Sequence, residues 1–398
     1  MTPFEINTIS DPFLGLPPGC RAFGAGASSI NRHSWIESWL KNLNNFSALL
    51  ILAGTNTAEV EGISAAGSTS AARRYTAVAD AELLLNGPVR SNRWPLPPLP
   101  AGVSPALISY VASRFIDVKP LVLVAGLQQM PPFPHLRLER PSFGPAACLS
   151  TGSAMPFKRV QSLCDKGFAM GVKLRKPLLI AECVPGGTST AQAVLTGLGL
   201  SISDLVSGSV RNPPLKIKTQ LVERGLQAAQ LGTSPPPKRL LAAVGDPFQC
   251  VAVGLLLGAR QAGQPVLLGG GSQMLAVLAL ALAELNESLR SHFVKGVVLG
   301  TTAWLTEEVS FEDQRVSSFV RLLDIVGHHY GVGLMGVSAG LHFDRSRYQA
   351  LRDYERGFVK EGVGAGAFAL LAQLQGVSRK DLLDSCEASL EELNRRSS

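Results

Sequence analysis

Apolar residues in this chain gather in short unbroken runs rather than in strict alternation with polar ones. The runs are Leu49–Gly54, Leu121–Gly126, Leu178–Glu182, Val266–Gly271, Val297–Thr302 and Leu334–Gly340. Most end in small residues, and a helical pattern often follows. Short apolar runs of this kind read as parallel strands buried on both faces. Their small-residue ends then lie in loops at the carboxyl edge of the sheet, where open parallel sheets bind ligands. The pattern predicts an α/β fold: a mostly parallel, Rossmann-like sheet with helices on both faces.

Helix signals fall between the runs. Asp246-Pro247 reads as an N-cap with proline in the first turn, followed by an apolar stretch to Ala262. One helix is predicted from Gly271 to about Leu289. Ser310 with Asp313, and Ser378 with Asp381, have the spacing of capping boxes, before Val316–Val326 and before the last helix. Residues from about Asn31 to Asn45 group Trp35, Ile36, Trp39 and Leu40 as a helix would. Helical patterns at both ends suggest a small discontinuous helical domain, 1–46 with 345–398, beside an α/β nucleotide-binding domain, 47–344. Two proline-rich stretches, 86–105 and 128–155, break any regular element and read as long loops, lids or linkers.

Composition narrows the chemistry. A chain of 398 residues that is 46% hydrophobic and 17% charged has material for a large core and about two domains. The net charge of +7 comes from scattered lysines and arginines, without the basic runs or aromatic interleaving of a nucleic-acid module. An anionic small molecule suits that balance. The six cysteines include no C-x-x-C pair, so neither a zinc site nor a redox pair is indicated. Unpaired thiols point to a reducing cytoplasm. The adjacent His328-His329 would diverge on any regular element and does not suggest a shared metal. The N-terminus lacks a signal-peptide pattern, and the longest apolar run, Met274–Ala283, is too short to span a membrane.

Two segments carry candidate chemistry. The first is Ala181-Glu182-Cys183-Val184-Pro185-Gly186-Gly187-Thr188-Ser189-Thr190. It joins a strand pattern to a helical one through glycines, an arrangement that suits close approach of a phosphate to a helix start. It could equally be a packing turn, and it matches neither G-x-x-x-x-G-K-[ST] nor a clean G-x-G-x-x-G. Glu182 adds a carboxylate at the strand tip. The second is Glu361-Gly362-Val363-Gly364-Ala365-Gly366-Ala367, a carboxylate just before a small-residue helix start. Taken alone it could be a glutamate stabilised by the helix dipole.

Together the two segments resemble the nicotinate-nucleotide–dimethylbenzimidazole phosphoribosyltransferase superfamily, most closely its little-characterised archaeal and cyanobacterial branch. The resemblance covers about residues 46 to 375 and is densest from 177. That family's glutamate, glycine turn and paired threonines stand here as Glu182, Gly186-Gly187 and Thr188-Ser189. Its Glu-Gly-Thr-Gly-Ala stands as Glu361-Gly362-Val363-Gly364-Ala365. Its lysine before a Val-Glu-Arg helix stands as Lys218, its Gly-acidic helix start as Gly245-Asp246, and its Leu-Leu-Asp-Gly strand as Leu267-Leu268-Gly269-Gly270. Two departures stand out: the aspartate of that strand is replaced by Gly269, and the acceptor region differs. The family's Asp-His-Gly is Thr55-Asn56-Thr57 here, and residues 55 to 155 match poorly, which opens the acceptor to adenine and other purine-like or benzimidazole-like rings.

The resemblance implies transfer of phosphoribose from nicotinate mononucleotide to a ring nitrogen of an aromatic base, giving an α-ribazole-type 5′-phosphate for the cobamide lower ligand. It implies Glu361 as general base, with Glu182 holding ribose or sharing the proton. Gly186, Gly187, Thr188, Ser189, Lys218, Gly245, Asp246, Gly269, Gly270, Gly362 and Gly364 become candidate phosphate or nucleotide contacts. No metal and no cofactor is expected, because nicotinate leaves as a neutral ring without pyrophosphate. Small-molecule substrates and a homodimer are implied, and no nucleic-acid or membrane partner. A non-catalytic nucleotide-binding paralogue is the alternative, and a Rossmann-like dehydrogenase a more distant one.

Overall fold

A computed structural model describes residues 15–64, 66–89, 92–202, 205–206, 208, 214–308 and 317–397. Eight strands form one sheet: β1 Arg21–Phe23, β2 Ser47–Ala53, β3 Leu121–Ala125, β4 Leu136–Arg137, β5 Leu178–Cys183, β6 Val266–Gly269, β7 Val297–Thr301 and β8 Gly336–Ser338. Their order is β1-β8-β7-β6-β5-β2-β3-β4, and every pairing is parallel except β1 with β8. The six predicted apolar runs are the six inner strands. The two short edge strands were not foreseen, because neither has enough apolar residues to stand out.

Helices cover both faces. In chain order they are α1 Ser29–Leu40, α2 Ser70–Asn86, α3 Ala106–Phe115, α4 Phe157–Lys173, α5 Gly187–Gly197, α6 Leu215–Ala229, α7 Pro237–Val244 and α8 Pro247–Gln261. They continue with α9 Ser272–Glu284, α10 Glu287–Val294, α11 Ala303–Glu307, α12 Ser318–His329, α13 Gln349–Arg352, α14 Ala365–Leu374 and α15 Arg379–Ser397. The strand pleat divides the core. Leu49, Ile51, Leu178, Ile180 and Leu268 point into one hydrophobic cluster with residues of α4, α5, α7, α8 and α9. Leu50, Leu52, Leu179, Ala181 and Leu267 point into another with residues of α2, α3 and α14. Trp35 and Trp39 of α1, and Leu382 and Leu390 of α15, belong to that second cluster.

One helix expectation needs correction, and another falls outside the described residues. The helix predicted from Gly271 to Leu289 is two helices, because Leu285 is extended (ψ 142°) and the chain turns before α10. The Ser310/Asp313 pair lies outside the described residues, and the side chain that caps α12 is that of Ser317, accepting from the Val320 N–H. The Asp246 capping box is present in full, with Gln249 returning the bond. Ser378 and Asp381 exchange bonds at the start of α15.

The strand order reverses between β2 and β5. From there the chain runs outward one way through β3 and β4, and the other way through β6, β7 and β8. Such a switch point leaves a crevice at the carboxyl ends of its two strands.

Helices α4 and α8 pack closely, because glycines remove the side chains that would hold the backbones apart. A Cβ on Gly254 would lie 2.1 Å from the Cys164 carbonyl oxygen and 2.7 Å from the Phe168 nitrogen. Both are backbone atoms that cannot move without separating the helices. Gly254→Ala is therefore expected to destabilise the protein by about 1–3 kcal/mol, the usual cost of overpacking. Urea unfolding, showing a lower midpoint with an unchanged slope, checks this.

Candidate active site

The carboxyl ends of the inner strands surround a cavity of about 390 Å³. Its wall comes from residues 62–64 and 66–68 after β2, 182–188 after β5, 271–273 after β6, 358–363 before α14, and parts of 96–105. It sits over the switch point between β2 and β5.

The tip of β5 places two groups on opposite sides of the pleat. Glu182 pairs in register with Ile51 and leaves on the face of Ile180, while Cys183 leaves on the other face, with its thiol 3.4 Å from Asp80 Oδ2. The chain then turns through Gly186, whose φ of +81° is open to glycine at little cost. A Cβ there would also meet the Ala58 nitrogen at 2.9 Å. No side chain caps α5, and Gly186, Gly187 and Thr188 face the cavity. Behind this turn lies a closed polar network. Asp246 Oδ2 accepts from Thr190 Oγ1 at 2.5 Å and from Gln273 Nε2 at 2.8 Å, and Gln249 donates to Gln273 Oε1 at 2.8 Å.

The second carboxylate is held firmly. Glu361 Oε2 accepts from Thr301 Oγ1 at 3.0 Å and from the Thr302 N–H at 2.8 Å. Oε1 accepts from the Gly362 N–H at 3.0 Å and the Gly366 N–H at 3.3 Å. The loop that carries it is strained. Val359, Lys360 and Val363 have φ of +67°, +54° and +55°, a region that β-branched residues adopt at real cost. Neighbours hold it there: the Val363 N–H donates to the Glu182 carbonyl at 3.1 Å, and Ser109 Oγ donates to the Val363 carbonyl at 2.9 Å.

Both glutamates line the cavity, and both are harder to ionise than ordinary carboxyls. Enclosure is the main cause in each case. For Glu182 the Asp246 charge adds to it and the Val184 N–H opposes it, leaving the pKa at about 8. For Glu361 the four donors pull against enclosure, and the pKa stands at about 7. Lys218 on α6 is fully buried. Burial, and then the neighbouring Lys360 charge, bring its pKa down to about 8 against the pull of Glu308. Lys360 Nζ lies 2.5 Å from Glu308 Oε1.

Among the residues singled out from sequence, Glu182, Gly186, Gly187, Thr188, Glu361 and Gly362 meet in the cavity wall. Ser189, Lys218, Gly245, Asp246, Gly269, Gly270 and Gly364 stand outside it. Packing accounts for two of these glycines. A Cβ on Gly269 would meet Ala367 Cβ at 2.9 Å, and one on Gly364 would meet Ala181 Cβ at 2.7 Å. Asp246 spends its oxygens on the cap of α8, Thr190 and Gln273, so it acts on the cavity through its charge. Sequence reading missed Arg73, Thr76 and Asp80, which all line the cavity from α2. Their spacing, three polar positions on one face of a helix rich in alanine and leucine, was the available signal. It also missed Thr301 and Thr302, which nothing in their local sequence distinguishes.

Comparison with known proteins bears on the family and the fold. A family profile described as phosphoribosyltransferase matches residues 45–300. A UPF0284 protein of Prochlorococcus marinus strain MIT 9313 is 62% identical over 382 residues, covering 96% of this chain and 95% of its own. Others from Parasynechococcus marenigrum, at 55% over 97% of each chain, and Crocosphaera subtropica, at 39% over 86% and 91%, are also similar. Two crystal structures from Thermus thermophilus share the fold. One is nicotinate-nucleotide-dimethylbenzimidazole phosphoribosyltransferase (19% identity, TM-score 0.53, 88% of this chain and 83% of that one) and the other is CobT (18%, 0.54, 89% and 95%). The described residues contain no helix long and apolar enough to cross a membrane.

The raised pKa of Glu182 has a consequence for stability. Between the ordinary value of 4.5 and about 8, the folded chain keeps a proton at Glu182 that the unfolded chain has released. Stability contributed by this group therefore falls as pH rises through that window. Glu182→Gln removes the titration. Its melting temperature is expected to fall less than that of the unmodified protein between about pH 5 and pH 9, as measured by scanning calorimetry. Parallel curves would show that Glu182 is ionised normally in the folded state.

Proposed function

The chain belongs to the phosphoribosyltransferase family, and on that premise we propose that it transfers phosphoribose from nicotinate mononucleotide to a ring nitrogen of a bicyclic aromatic base. The product is an α-ribazole-type 5′-phosphate for the cobamide lower ligand. One observation carries the reading: two carboxylates 179 positions apart in sequence, Glu182 and Glu361, face one cavity beside an uncapped helix start.

The chemistry follows from what each group can do. The bond between the anomeric carbon and the pyridinium nitrogen breaks, and its electron pair stays on nicotinate as a neutral ring. The acceptor nitrogen supplies the pair for the new bond, from the opposite face of the sugar. Its N–H proton passes to a carboxylate, here Glu361, and a carboxylate also stabilises positive charge developing on the sugar. Because the leaving group needs no neutralisation by a cation, the reaction runs without a metal. The uncapped start of α5 with Gly186, Gly187 and Thr188 suits the 5′-phosphate or the ribose. Lys218, behind the wall and neighbouring the wall residue Lys360, supports the phosphate through its charge.

A second assignment of the proton has its own observation. All four lone-pair sites of Glu361 are used by protein donors, and only the Thr301 hydroxyl among them can rotate away. Glu182, with the higher pKa, is then the proton acceptor, and Glu361 is a fixed negative charge under the sugar.

Kinetics separate the two. If Glu361 is the base, Glu361→Gln lowers kcat by about a hundredfold to ten-thousandfold. The unmodified enzyme then gains activity as pH rises through about 7, where Glu361 loses its proton. A rise centred near 8 instead, abolished by Glu182→Gln, assigns the proton to Glu182. The assay is nicotinate release from nicotinate mononucleotide in the presence of a panel of bases. No release with any base by the folded protein would favour a non-catalytic nucleotide-binding role.

A further inference from the structure

Helix α2 offers three polar side chains to the cavity, Arg73, Thr76 and Asp80, spaced so that they share one helical face. Two of them are occupied with shaping the wall. The Arg73 guanidinium donates to the carbonyls of Ala58, Val60, Ser64 and Gly67, and Thr76 Oγ1 donates to the Ala66 carbonyl at 2.6 Å. These bonds fold the segment after β2 into a fixed wall. Asp80 is different. Its partners are two neutral side-chain donors, Ser104 Oγ at 2.6 Å and Cys183 Sγ at 3.4 Å, and it makes no ion pair among the described residues. It is buried, and it shares the cavity wall with apolar groups, among them Ile63, Leu96, Leu99, Pro105 and Val363, as well as with the two glutamates, Arg73 and Lys360.

A buried carboxylate with no ion-pair partner is costly. It accepts about four hydrogen bonds when ionised, and the described residues supply two. Enclosure pushes its pKa up only to about 6, so it carries its charge at neutral pH. A flat apolar base packs well against the proline and leucine walls. A methyl group set against Asp80 would strip water from the charge and return nothing. An amine at the same place would donate to it.

We infer that Asp80 reads the acceptor base, selecting a bicyclic heteroaromatic ring with an exocyclic amine over one whose corresponding edge carries only hydrogen or methyl groups. The inference rests on the reading above, that this cavity receives an acceptor base, and it adds the chemical class of that base. Asp80 is a specificity residue. The proton transfer belongs to the glutamates, and Asp80 acts on which ring is held.

The experiment measures base binding by calorimetry and phosphoribosyl transfer in parallel, on the full chain. Adenine, purine, benzimidazole and 5,6-dimethylbenzimidazole are the probes, with nicotinate mononucleotide as donor. The unmodified protein should bind adenine at least about tenfold more tightly than purine, which differs by the amine alone. Asp80→Asn should lose most of that preference, and Asp80→Leu should turn it toward 5,6-dimethylbenzimidazole. Equal binding of adenine and purine by the unmodified protein would overturn the inference, and so would an adenine preference that both variants keep. The ranking on the unmodified protein decides the matter even if the leucine variant does not fold. Binding and transfer can fail separately. The expected ranking without transfer to any base supports Asp80 and refutes the transfer reaction. Transfer to dimethylbenzimidazole that is indifferent to Asp80 does the reverse.

Discussion

The site depends on how closely α14 sits against the end of β7. A Cβ on Gly366 would fall 1.9 Å from the Thr301 carbonyl carbon and 2.2 Å from the Thr302 nitrogen, so only glycine permits the contact. That contact places the Gly366 and Thr302 N–H groups around the Glu361 carboxylate. The left-handed residues on either side of Glu361 follow from it. The chain must reach the sheet edge, present a carboxylate and enter a helix within a few residues, and it does so through Val359, Lys360 and Val363 at positive φ. Strain of this kind persists only where surrounding bonds over-determine it. Here they come from β5 through the Glu182 carbonyl and from α3 through Ser109.

Charge is arranged around the same edge by depth. Asp80, Glu182 and Glu361 face the cavity, while Asp246 lies behind Glu182 in a network of neutral donors. The lysines stand to one side, with Lys218 fully enclosed and Lys360 tied to Glu308. Such a layout keeps the glutamates close to neutral pH in their titration, which suits groups that must take up a proton and release it again. It also explains a net positive chain with an acidic cavity. Two cations, Arg73 and Lys360, also line the wall, but Arg73 is held by backbone carbonyls and Lys360 by Glu308, which leaves the carboxylates where a ring N–H and a developing sugar cation would need them.

The inner sheet was legible because its signal is local. A strand buried on both faces must be largely apolar, and β2, β3, β5, β6, β7 and β8 lie in largely apolar runs. The N-cap of α8 was equally local, since Asp246, Pro247 and Gln249 carry it within a few residues. The edge strands and the break between α9 and α10 were not legible. Each depends on what happens to pack nearby rather than on a pattern strong enough to be unique.

The same division runs through the site. The two glutamate–glycine segments could be recognised because a carboxylate next to a glycine turn is written in consecutive residues. Their sequence also determined that they stand at strand and helix ends, and so at one edge of the sheet. What sequence could not decide is which glycines face the cavity and which serve packing. Gly186 and Gly269 look alike in the chain, yet one lines the wall and the other meets Ala367. Nor could it place Asp80 beside Cys183, or give Thr301 and Thr302 to Glu361, because those partners are 103, 60 and 59 positions apart. Hydrophobic periodicity specifies elements through contacts a few residues long. The ionisation of a carboxylate is specified by enclosure and by donors from distant segments, and only the packed sheet and helices bring those together.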